Sequence, residues 1–312
     1  MAARKDHTEP GPAASLQQAS SVTRTLNLIG DRPRWLILFG LSVGYCRFSE
    51  LLSLSGLARS LLSKRLRQLQ TEGLIEPAAD SRNGYRLSAS GADLQSCLLA
   101  MTSWDKQWCA DEGFVAHRLR HRCCQQSVAV DTICSHCSQP LRAQEMSWQN
   151  GPGEGLDPRP GPRSTRKTGT KAGTRDRCFA QVLDIVGDRW SALVIAASFF
   201  RIRSFVGYQQ HIGLATNILS ERLNQLCDWS ILQRQGTEHR PQYRLTEKGL
   251  SLYPIIAELM HWGDRWLIND SGVPMTLSHS PCTQPLSTVQ ICRHCRRPIR
   301  FEDLQAAELA KI

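Results

Sequence analysis

Residues Leu214 to Gly249 read LATNILSERLNQLCDWSILQRQGTEHRPQYRLTEKG, and their pattern is the most informative one for the fold of the chain. Its first half carries leucine and isoleucine at helical spacing, with polar residues between them, which predicts an amphipathic helix. Two short β-prone segments follow, Ile231 to Arg234 and Gln242 to Leu245, with a polar loop between them. Thr246 is placed to cap a further helix, with Glu247 near that helix's positive end. The predicted order is helix, strand, exposed loop, strand, helix.

The same pattern occurs earlier in the chain. Residues 57 to 91 read LARSLLSKRLRQLQTEGLIEPAADSRNGYRLSASG, in which Tyr85-Arg-Leu-Ser corresponds to Tyr243-Arg-Leu-Thr. Residues correspond at an interval of 157 positions before the polar loop and 158 positions after it. A long internal repeat of this kind means that one structural unit is present twice. Each unit has the order of a winged helix-turn-helix, so the predicted fold is mainly α with small β-wings, an α+β class.

Length and composition agree with two packed domains. A chain of 312 residues suggests about two domains, and a hydrophobic content of 41% is enough for their cores. The sequence contains no run of about 18 apolar residues, so we expect no membrane span. The polar N-terminal segment lacks the apolar core of a secretory signal. The net charge of +10 and the pI near 9.2 favour a polyanionic partner such as nucleic acid.

Composition and repeat register together divide the chain into six segments. The first is polar and rich in Pro and Gly, and the fourth is basic, rich in Gly and Pro, and without an aliphatic cluster. We therefore expect no packed core in either of them. The predicted segments are a disordered tail at 1–20, winged helix-turn-helix domain 1 at 21–113, zinc-binding subdomain 1 at 114–146, a flexible basic linker at 147–176, winged helix-turn-helix domain 2 at 177–270, and zinc-binding subdomain 2 at 271–312.

Each winged unit is followed by the same set of histidine and cysteine residues, spaced as metal ligands often are. The pattern is His-x-x-Cys, nine residues, then Cys-x-x-Cys, and its two copies lie 158 positions apart. Cys-x-x-Cys places two thiolates on one tight turn, and a second pair completes a tetrahedron that suits structural Zn²⁺. Six of the twelve cysteines lie in these sets, which argues against a disulfide scaffold and for a reducing compartment. We predict one Zn²⁺ site in each copy, with the ligands His121, Cys124, Cys134 and Cys137 in the first, and His279, Cys282, Cys292 and Cys295 in the second.

The residues alone leave two points open at these sites. Cys123 adjoins Cys124, and only the repeat register selects the latter as a ligand. His136 and His294 also correspond between the copies, and they are alternatives to the outer histidines. Without a metal, the same residues would be reduced cysteines in a small apolar subdomain.

The second unit contains several short motifs close together: Val186-Gly-Asp-Arg-Trp190, Leu219-Ser-x-Arg-Leu223 and Arg240-Pro-x-Tyr243. At these residues the chain resembles the HxlR-type family of bacterial winged-helix transcription regulators. The terminal ligand pattern also resembles the zinc-ribbon-like extension of some members. The first unit departs from the family pattern, because Asp31-Arg-Pro-Arg-Trp35 carries two residues more than Asp188-Arg-Trp190 and its wing lacks the Arg-Pro element.

The resemblance implies how the two units are arranged. Ordinary members of the family are homodimers of single units, so two units in one chain imply an intrachain pseudo-dimer. Its packing surfaces would be the long helix that follows each wing and the short N-terminal helices. The chain would act as a monomeric pseudo-dimer or associate further into a homodimer. The resemblance also implies a cytoplasmic protein at the bacterial nucleoid, with double-stranded DNA as its partner.

In a winged helix-turn-helix the recognition helix enters the major groove while the wing contacts the backbone or the minor groove. Arginine can read guanine and asparagine can read adenine, so differing helix faces predict two different half-sites, an imperfect palindrome. We rank Arg65 and Arg222 first among the helix candidates. The full set of predicted DNA-binding residues is Arg59, Ser60, Lys64, Arg65, Arg67 and, on the first wing, Arg82; then Thr216, Asn217, Arg222, Asn224 and, on the second wing, His239 and Arg240.

Two further interpretations concern chemistry and function class. Cys178 occupies the position at which some family members sense electrophiles or oxidants, and Arg175 and Arg177 would favour its thiolate; the alternative is a small buried hydrophobe. The alternative to operator binding is a zinc-stabilised winged-helix module for protein or RNA contacts. We do not expect an enzyme, because the residues show no nucleophile–base motif or phosphate loop and each predicted metal site has four protein ligands.

Overall fold

The computed structural model describes residues 16–78, 84–109, 118–158, 181–237 and 240–306. The first unit contains β1 (Leu16–Gln18), α1 (Ser21–Ile29), α2 (Arg32–Ser42), α3 (Phe48–Ser55), α4 (Arg59–Thr71), β2 (Ile75–Pro77), β3 (Tyr85–Leu87), α5 (Ala89–Asp93) and α6 (Gln95–Trp108). The segment after it contains β4 (Leu119–His121), β5 (Val130–Cys134), β6 (Met146–Asn150) and β7 (Leu156–Pro158). The second unit contains α7 (Gln181–Val186), α8 (Arg189–Phe199), α9 (Phe205–Ile212), α10 (Thr216–Asp228), β8 (Leu232–Thr237), β9 (Arg240–Leu245), α11 (Glu247–Leu250) and α12 (Tyr253–Trp266). The last segment contains β10 (Met275–His279), β11 (Gln284–Pro285), β12 (Thr288–Cys292) and β13 (Leu304–Ala306).

Both units have the predicted winged helix-turn-helix order. In each, a glycine in the left-handed conformation ends the first helix of the helix-turn-helix, Gly56 with φ of 63° and Gly213 with φ of 71°. Glycine has no Cβ penalty in this conformation, so the chain can turn sharply into the recognition helix. The wing is an antiparallel hairpin in both units, β2 with β3 and β8 with β9. The predicted fold class is confirmed.

The two core helices, α2 and α8, correct one detail of the predicted alignment. Each has 11 residues and begins after an aspartate whose side chain accepts a hydrogen bond from the third residue beyond it, Asp31 from Arg34 and Asp188 from Ser191. The two aspartates correspond and pair across the units in an isolated antiparallel bridge. The helices therefore match without the two extra residues expected in the first unit, and the buried Trp35 occupies the position of Ala192.

The two units form a pseudo-dimer in which helices from one unit pack on helices from the other. Thr25 on α1 donates a hydrogen bond to the carbonyl of Leu259 on α12 at 3.0 Å. The tryptophans of the two long helices make equivalent contacts with the other unit: Trp104 Nε1 donates to the carbonyl of Lys248 at 3.3 Å, and Trp262 Nε1 donates to the carbonyl of Ser90 at 2.8 Å. One buried hydrophobic cluster contains residues of both units. The predicted pseudo-dimer is therefore confirmed.

The segments that follow the winged units are not two separate subdomains. Strand β5 pairs with β12, β4 pairs with β13, and β6 pairs with β10, so each of these three pairs joins the two halves of the chain, while β11 pairs with β10 inside the last segment. The centre of the β5–β12 ladder is Thr132 opposite Gln290, with Thr132 Oγ1 donating to Gln290 Oε1 at 2.9 Å. These two residues lie 158 positions apart, so the pseudo-two-fold axis passes between them. We call this joint structure the shared ribbon.

Two segment predictions are wrong in part. Residues 16–18 of the expected disordered tail form β1, which pairs with β7. The predicted linker begins at residue 147, which lies inside β6, and its first part also contains β7. Both strands pair with strands that are distant in sequence, β6 with β10 and β7 with β1. The remaining part of that linker, 159–176, lies outside the described residues. No helix in the described ranges is long and apolar enough to cross a membrane.

Candidate nucleic-acid interface and metal centres

The recognition helices α4 and α10 are amphipathic, as the repeat predicts. Their inner faces are buried leucines, Leu62, Leu66 and Leu69 in α4 and Leu219, Leu223 and Leu226 in α10. Because these leucines recur at helical spacing, the opposite face of each helix is turned to solvent. The predicted DNA-binding residues that are exposed there are Arg59, Ser60, Lys64 and Arg67 on α4, and Thr216, Asn217 and Asn224 on α10.

The two arginines ranked first for DNA contact have other partners. Arg65 Nη2 lies 3.2 Å from Asp31 Oδ2, and Arg222 Nε lies 2.6 Å from Asp188 Oδ2. Their side chains are only 22% and 12% exposed. Each arginine therefore joins the recognition helix to the N-cap of the core helix in its own unit. This placement favours a positioning role, and the ranking of Arg65 and Arg222 above the exposed residues is not supported.

The first recognition helix has an additional anchor that the sequence interpretation missed. Arg34 on α2 is 2% exposed, and its Nη1 lies 2.6 Å from Oε2 of Glu72, the C-cap of α4. Buried arginine is rare unless it is paired, and the only signal in the sequence is that Arg34 directly precedes the apolar run of α2. The second unit has Ser191 at this position, and its recognition helix lacks this anchor.

The two wings differ in length and charge. Each strand of the first wing has three residues, whereas each strand of the second has six. The second wing carries the exposed Arg234, Arg240 and Arg244. On the first wing the exposed Arg86 pairs with Glu76 at 3.0 Å. The predicted wing residues Arg82 and His239, together with Cys178, lie outside the described residues.

The eight predicted metal ligands form two clusters, but each cluster takes two residues from each half of the chain. The first cluster is His121, Cys124, Cys292 and Cys295, and the second is Cys134, Cys137, His279 and Cys282. The prediction of one site within each copy is therefore wrong. The cause is the pairing of β5 with β12, which carries each Cys-x-x-Cys turn to the His-x-x-Cys turn of the other copy.

The spacing within both clusters fits a tetrahedral Zn²⁺. With bonds of about 2.3 Å to sulfur and about 2.05 Å to nitrogen, the ligand atoms around zinc lie about 3.8 Å apart for two sulfurs and about 3.5 Å apart for nitrogen and sulfur. In the first cluster Cys124 Sγ is 3.7 Å from Cys292 Sγ and 3.4 Å from His121 Nδ1. In the second, Cys282 Sγ is 3.8 Å from Cys134 Sγ and 3.5 Å from His279 Nδ1.

All four ligand-bearing turns have the same backbone conformation. The residue after the second ligand of each turn has a positive φ between 57° and 60°, although none of them is glycine. Its amide donates to the carbonyl of the first ligand, as Gln125 does to His121 at 2.8 Å and Ser138 does to Cys134 at 2.9 Å. Such backbone is costly for non-glycine residues, and it persists where the surroundings define it, as at ligand sites. The positive-φ residues of these four turns are Gln125, Ser138, Thr283 and Arg296.

The structure also resolves the alternatives among the ligands. His121 and His279 are buried, at 2% and 0% exposure, with Nδ1 directed at the sulfurs. His136 and His294 are exposed and belong to neither cluster. Cys124, rather than its exposed neighbour Cys123, joins the first cluster. With four protein ligands, each cluster has the character of a closed, structural metal site.

Comparison with known proteins agrees with this architecture. The profile of the HxlR-like helix-turn-helix family matches residues 28–113 and 185–271. The uncharacterized HTH-type transcriptional regulator MT3179 of Mycobacterium tuberculosis is 34% identical over 122 residues, which cover 38% of this chain and 77% of that protein. The HTH-type transcriptional regulator YodB of Bacillus subtilis is 30% identical over 86 residues, 26% of this chain and 77% of that protein. The solved structure of PA1607 is 29% identical, with a TM-score of 0.37, and the match covers 40% of this chain and 90% of that one. The chain therefore belongs to the HxlR-like helix-turn-helix family, and it contains that family's unit twice.

Proposed function

We propose that this chain is a transcription regulator that binds double-stranded DNA with sequence specificity and uses both of its recognition helices on one operator. The observation that carries the proposal is the pseudo-dimer itself, in which two winged helix-turn-helix units are joined while the outer faces of α4 and α10 remain exposed. Relatives of the chain are named HTH-type transcriptional regulators. A regulatory rather than an enzymatic role agrees with these relatives.

The two units would contact DNA in different ways. The first offers positive charge on its recognition helix, at Arg59, Lys64 and Arg67. The second offers neutral hydrogen-bonding groups on its helix and carries its arginines on the longer wing. Phosphate contacts supply affinity while contacts to base edges supply specificity, so the halves of the operator would differ in sequence and in the source of their affinity. The operator is therefore an imperfect palindrome in this proposal.

Zn²⁺ is the metal that best fits the two clusters. Three sulfurs and one imidazole suit a soft, tetrahedral ion, whereas Mg²⁺ and Ca²⁺ take oxygen ligands. A Zn²⁺ bound in this way supplies folding free energy and has no open position for a substrate. The buried Cys134 and Cys292, which lie at the ends of β5 and β12, would then hold these strands in register.

Neutralising the basic face of α4 tests the proposal. The triple variant Arg59→Ala/Lys64→Ala/Arg67→Ala is expected to bind every duplex more weakly, because it loses up to three phosphate contacts. The slope of log K against log salt should fall by about 2 to 3. A fluorescence-anisotropy titration of a selected operator at several salt concentrations measures both effects.

Two exposed arginines of the shared ribbon provide the control. Arg142 and Arg300 are 68% and 79% exposed, so their replacement by alanine removes positive charge without removing the proposed interface. The control should keep the affinity and salt slope of the parent chain. Unchanged duplex binding in the triple variant, or tighter binding of single-stranded RNA than of duplex DNA by the parent chain, would contradict the proposal.

A further inference from the structure

We infer that each metal ion is held by both halves of the chain and ties them together, so that neither half contains a complete metal site. The inference depends on the proposed occupancy of the two clusters by a metal, and it does not depend on DNA binding. It assigns the ions a role in assembly of the pseudo-dimer, beyond the local stabilisation of one small domain.

The ligand geometry is the first support. His121 Nδ1 lies 3.5 Å from Cys295 Sγ, and His279 Nδ1 lies 3.3 Å from Cys137 Sγ, so each imidazole contacts a sulfur from the other half. The four ligand atoms of each mixed set lie within 4.8 Å of one another. A bound ion would replace these loose contacts with four bonds, two to each half.

The β-structure around the clusters joins the same two halves. His121 in β4 is opposite Leu304 of β13, and His279 in β10 is opposite Met146 of β6. Each histidine ligand therefore sits in a strand that pairs with a strand of the other copy, and β10 pairs in addition with β11 of its own copy. If the halves separated, the ladders and the ligand sets would be lost together.

The shared ribbon is also hydrogen-bonded to both winged units. Ser103 on α6 donates to the carbonyl of Val130 at 2.8 Å, at the start of β5. Glu258 on α12 is buried, and its Oε1 accepts from Thr288 Oγ1 at 2.7 Å and from Gln290 Nε2 at 3.1 Å. Burial raises the pKa of Glu258, while these two donors oppose that rise. Strands β5 and β12 are thus held by the two long helices, so a metal bound between the strands restrains the units themselves.

Metal binding is expected to be linked to assembly for the same reason. A ligand set that exists only in the assembled chain gives its binding free energy only to that state. A site within one copy would stabilise that copy alone. The two arrangements have identical ligand types, and they differ only in which cysteines share an ion.

Two double variants separate these arrangements. Cys124→Ser/Cys295→Ser removes two ligands of one mixed cluster, and Cys124→Ser/Cys137→Ser removes one ligand from each. Metal stoichiometry and affinity are measured by titration of the full chain against a chromophoric zinc chelator, after far-UV circular dichroism has shown that each variant is helical. We expect the first variant to bind about one Zn²⁺ per chain with the parent affinity, and the second to bind both ions more weakly by a factor of about 10 to 100 or more.

The opposite pattern would overturn the inference: one intact site in Cys124→Ser/Cys137→Ser, and two weakened sites in Cys124→Ser/Cys295→Ser. The mirror variant Cys137→Ser/Cys282→Ser affects only the second mixed cluster and provides an independent check if Cys124→Ser/Cys295→Ser does not fold. It should also keep one tight site, and two weakened sites in this variant would contradict the mixed pairing. These measurements contain no DNA, so their failure is distinct from failure of the proposed regulator function.

Discussion

Removal of both metal ions with a strong chelator is expected to lower the melting temperature of the chain by more than about 10 °C. A ligand present at about 1,000 times its Kd stabilises the folded state by about 4 kcal/mol, and the two clusters provide two such terms. For a domain of about 150 to 250 residues, each kcal/mol changes the melting temperature by about 2 to 4 °C. Differential scanning calorimetry of metal-loaded and stripped chain measures the difference.

The loss should be confined at first to the shared ribbon. The recognition helices are held by buried leucines and carry none of the ligand residues, so most of the helical signal should persist at 25 °C after chelation. Restoring Zn²⁺ should restore the melting temperature, whereas Mg²⁺, which prefers oxygen ligands, should not. A stripped chain that melts within about 2 °C of the loaded chain would show that the clusters contribute little.

Substitution of Gly263 by alanine is expected to destabilise the chain by about 2 kcal/mol or more. Gly263 lies on α12 where it crosses α1 of the other unit, and an added Cβ would lie 2.5 Å from both the carbonyl oxygen of Ser21 and Thr25 Oγ1. No Cβ tolerates that distance from backbone, so one helix has to move away and the contacts of the pseudo-dimer loosen. Urea unfolding followed by circular dichroism measures the change.

Gly207 on α9 provides the matched control. Its added Cβ would lie 3.0 Å from Ser204 Oγ and 3.2 Å from Ile202 Cγ2, and both of these are side-chain atoms that can shift. Alanine has the higher helix propensity by about 1 kcal/mol, so Gly207→Ala should remain within about 1 kcal/mol of the parent chain. If Gly263→Ala were as stable as Gly207→Ala, the close crossing of α1 and α12 would be disproved.

The sequence repeat was sufficient to predict the fold, and the eight His and Cys residues that it singles out as metal ligands are the ones that form the two clusters. The repeat could not predict which residues share a cluster. Both copies contain the same Cys-x-x-Cys pair, so His121 could lie beside the pair of its own copy or beside that of the other copy. That choice depends on the pairing of β5 with β12, a long-range contact between short strands. Short strands have few cross-strand neighbours, so the local sequence pattern does not indicate which strand each of them pairs with.

Matching residues by type alone also gives two expectations that the structure does not support. Trp35 and Trp190 were aligned because both are tryptophan, whereas the N-caps Asp31 and Asp188 define the register of the two core helices. Arg222 was expected at the DNA because it is a cation on the recognition helix, yet it is ion-paired with Asp188. Sequence periodicity indicates which face of a helix is polar, but it does not show which polar residues at the edge of that face reach a neighbouring carboxylate.

The mass of the complex with DNA shows whether one chain supplies both of the recognition helices that contact the operator. An operator is first selected from random duplexes. The mass of the complex is then measured by native mass spectrometry in a volatile buffer that contains zinc. We expect one 35.0 kDa chain per duplex, with two unequal half-sites protected in footprinting. Two chains on each duplex, with each chain protecting a single half-site, would contradict it.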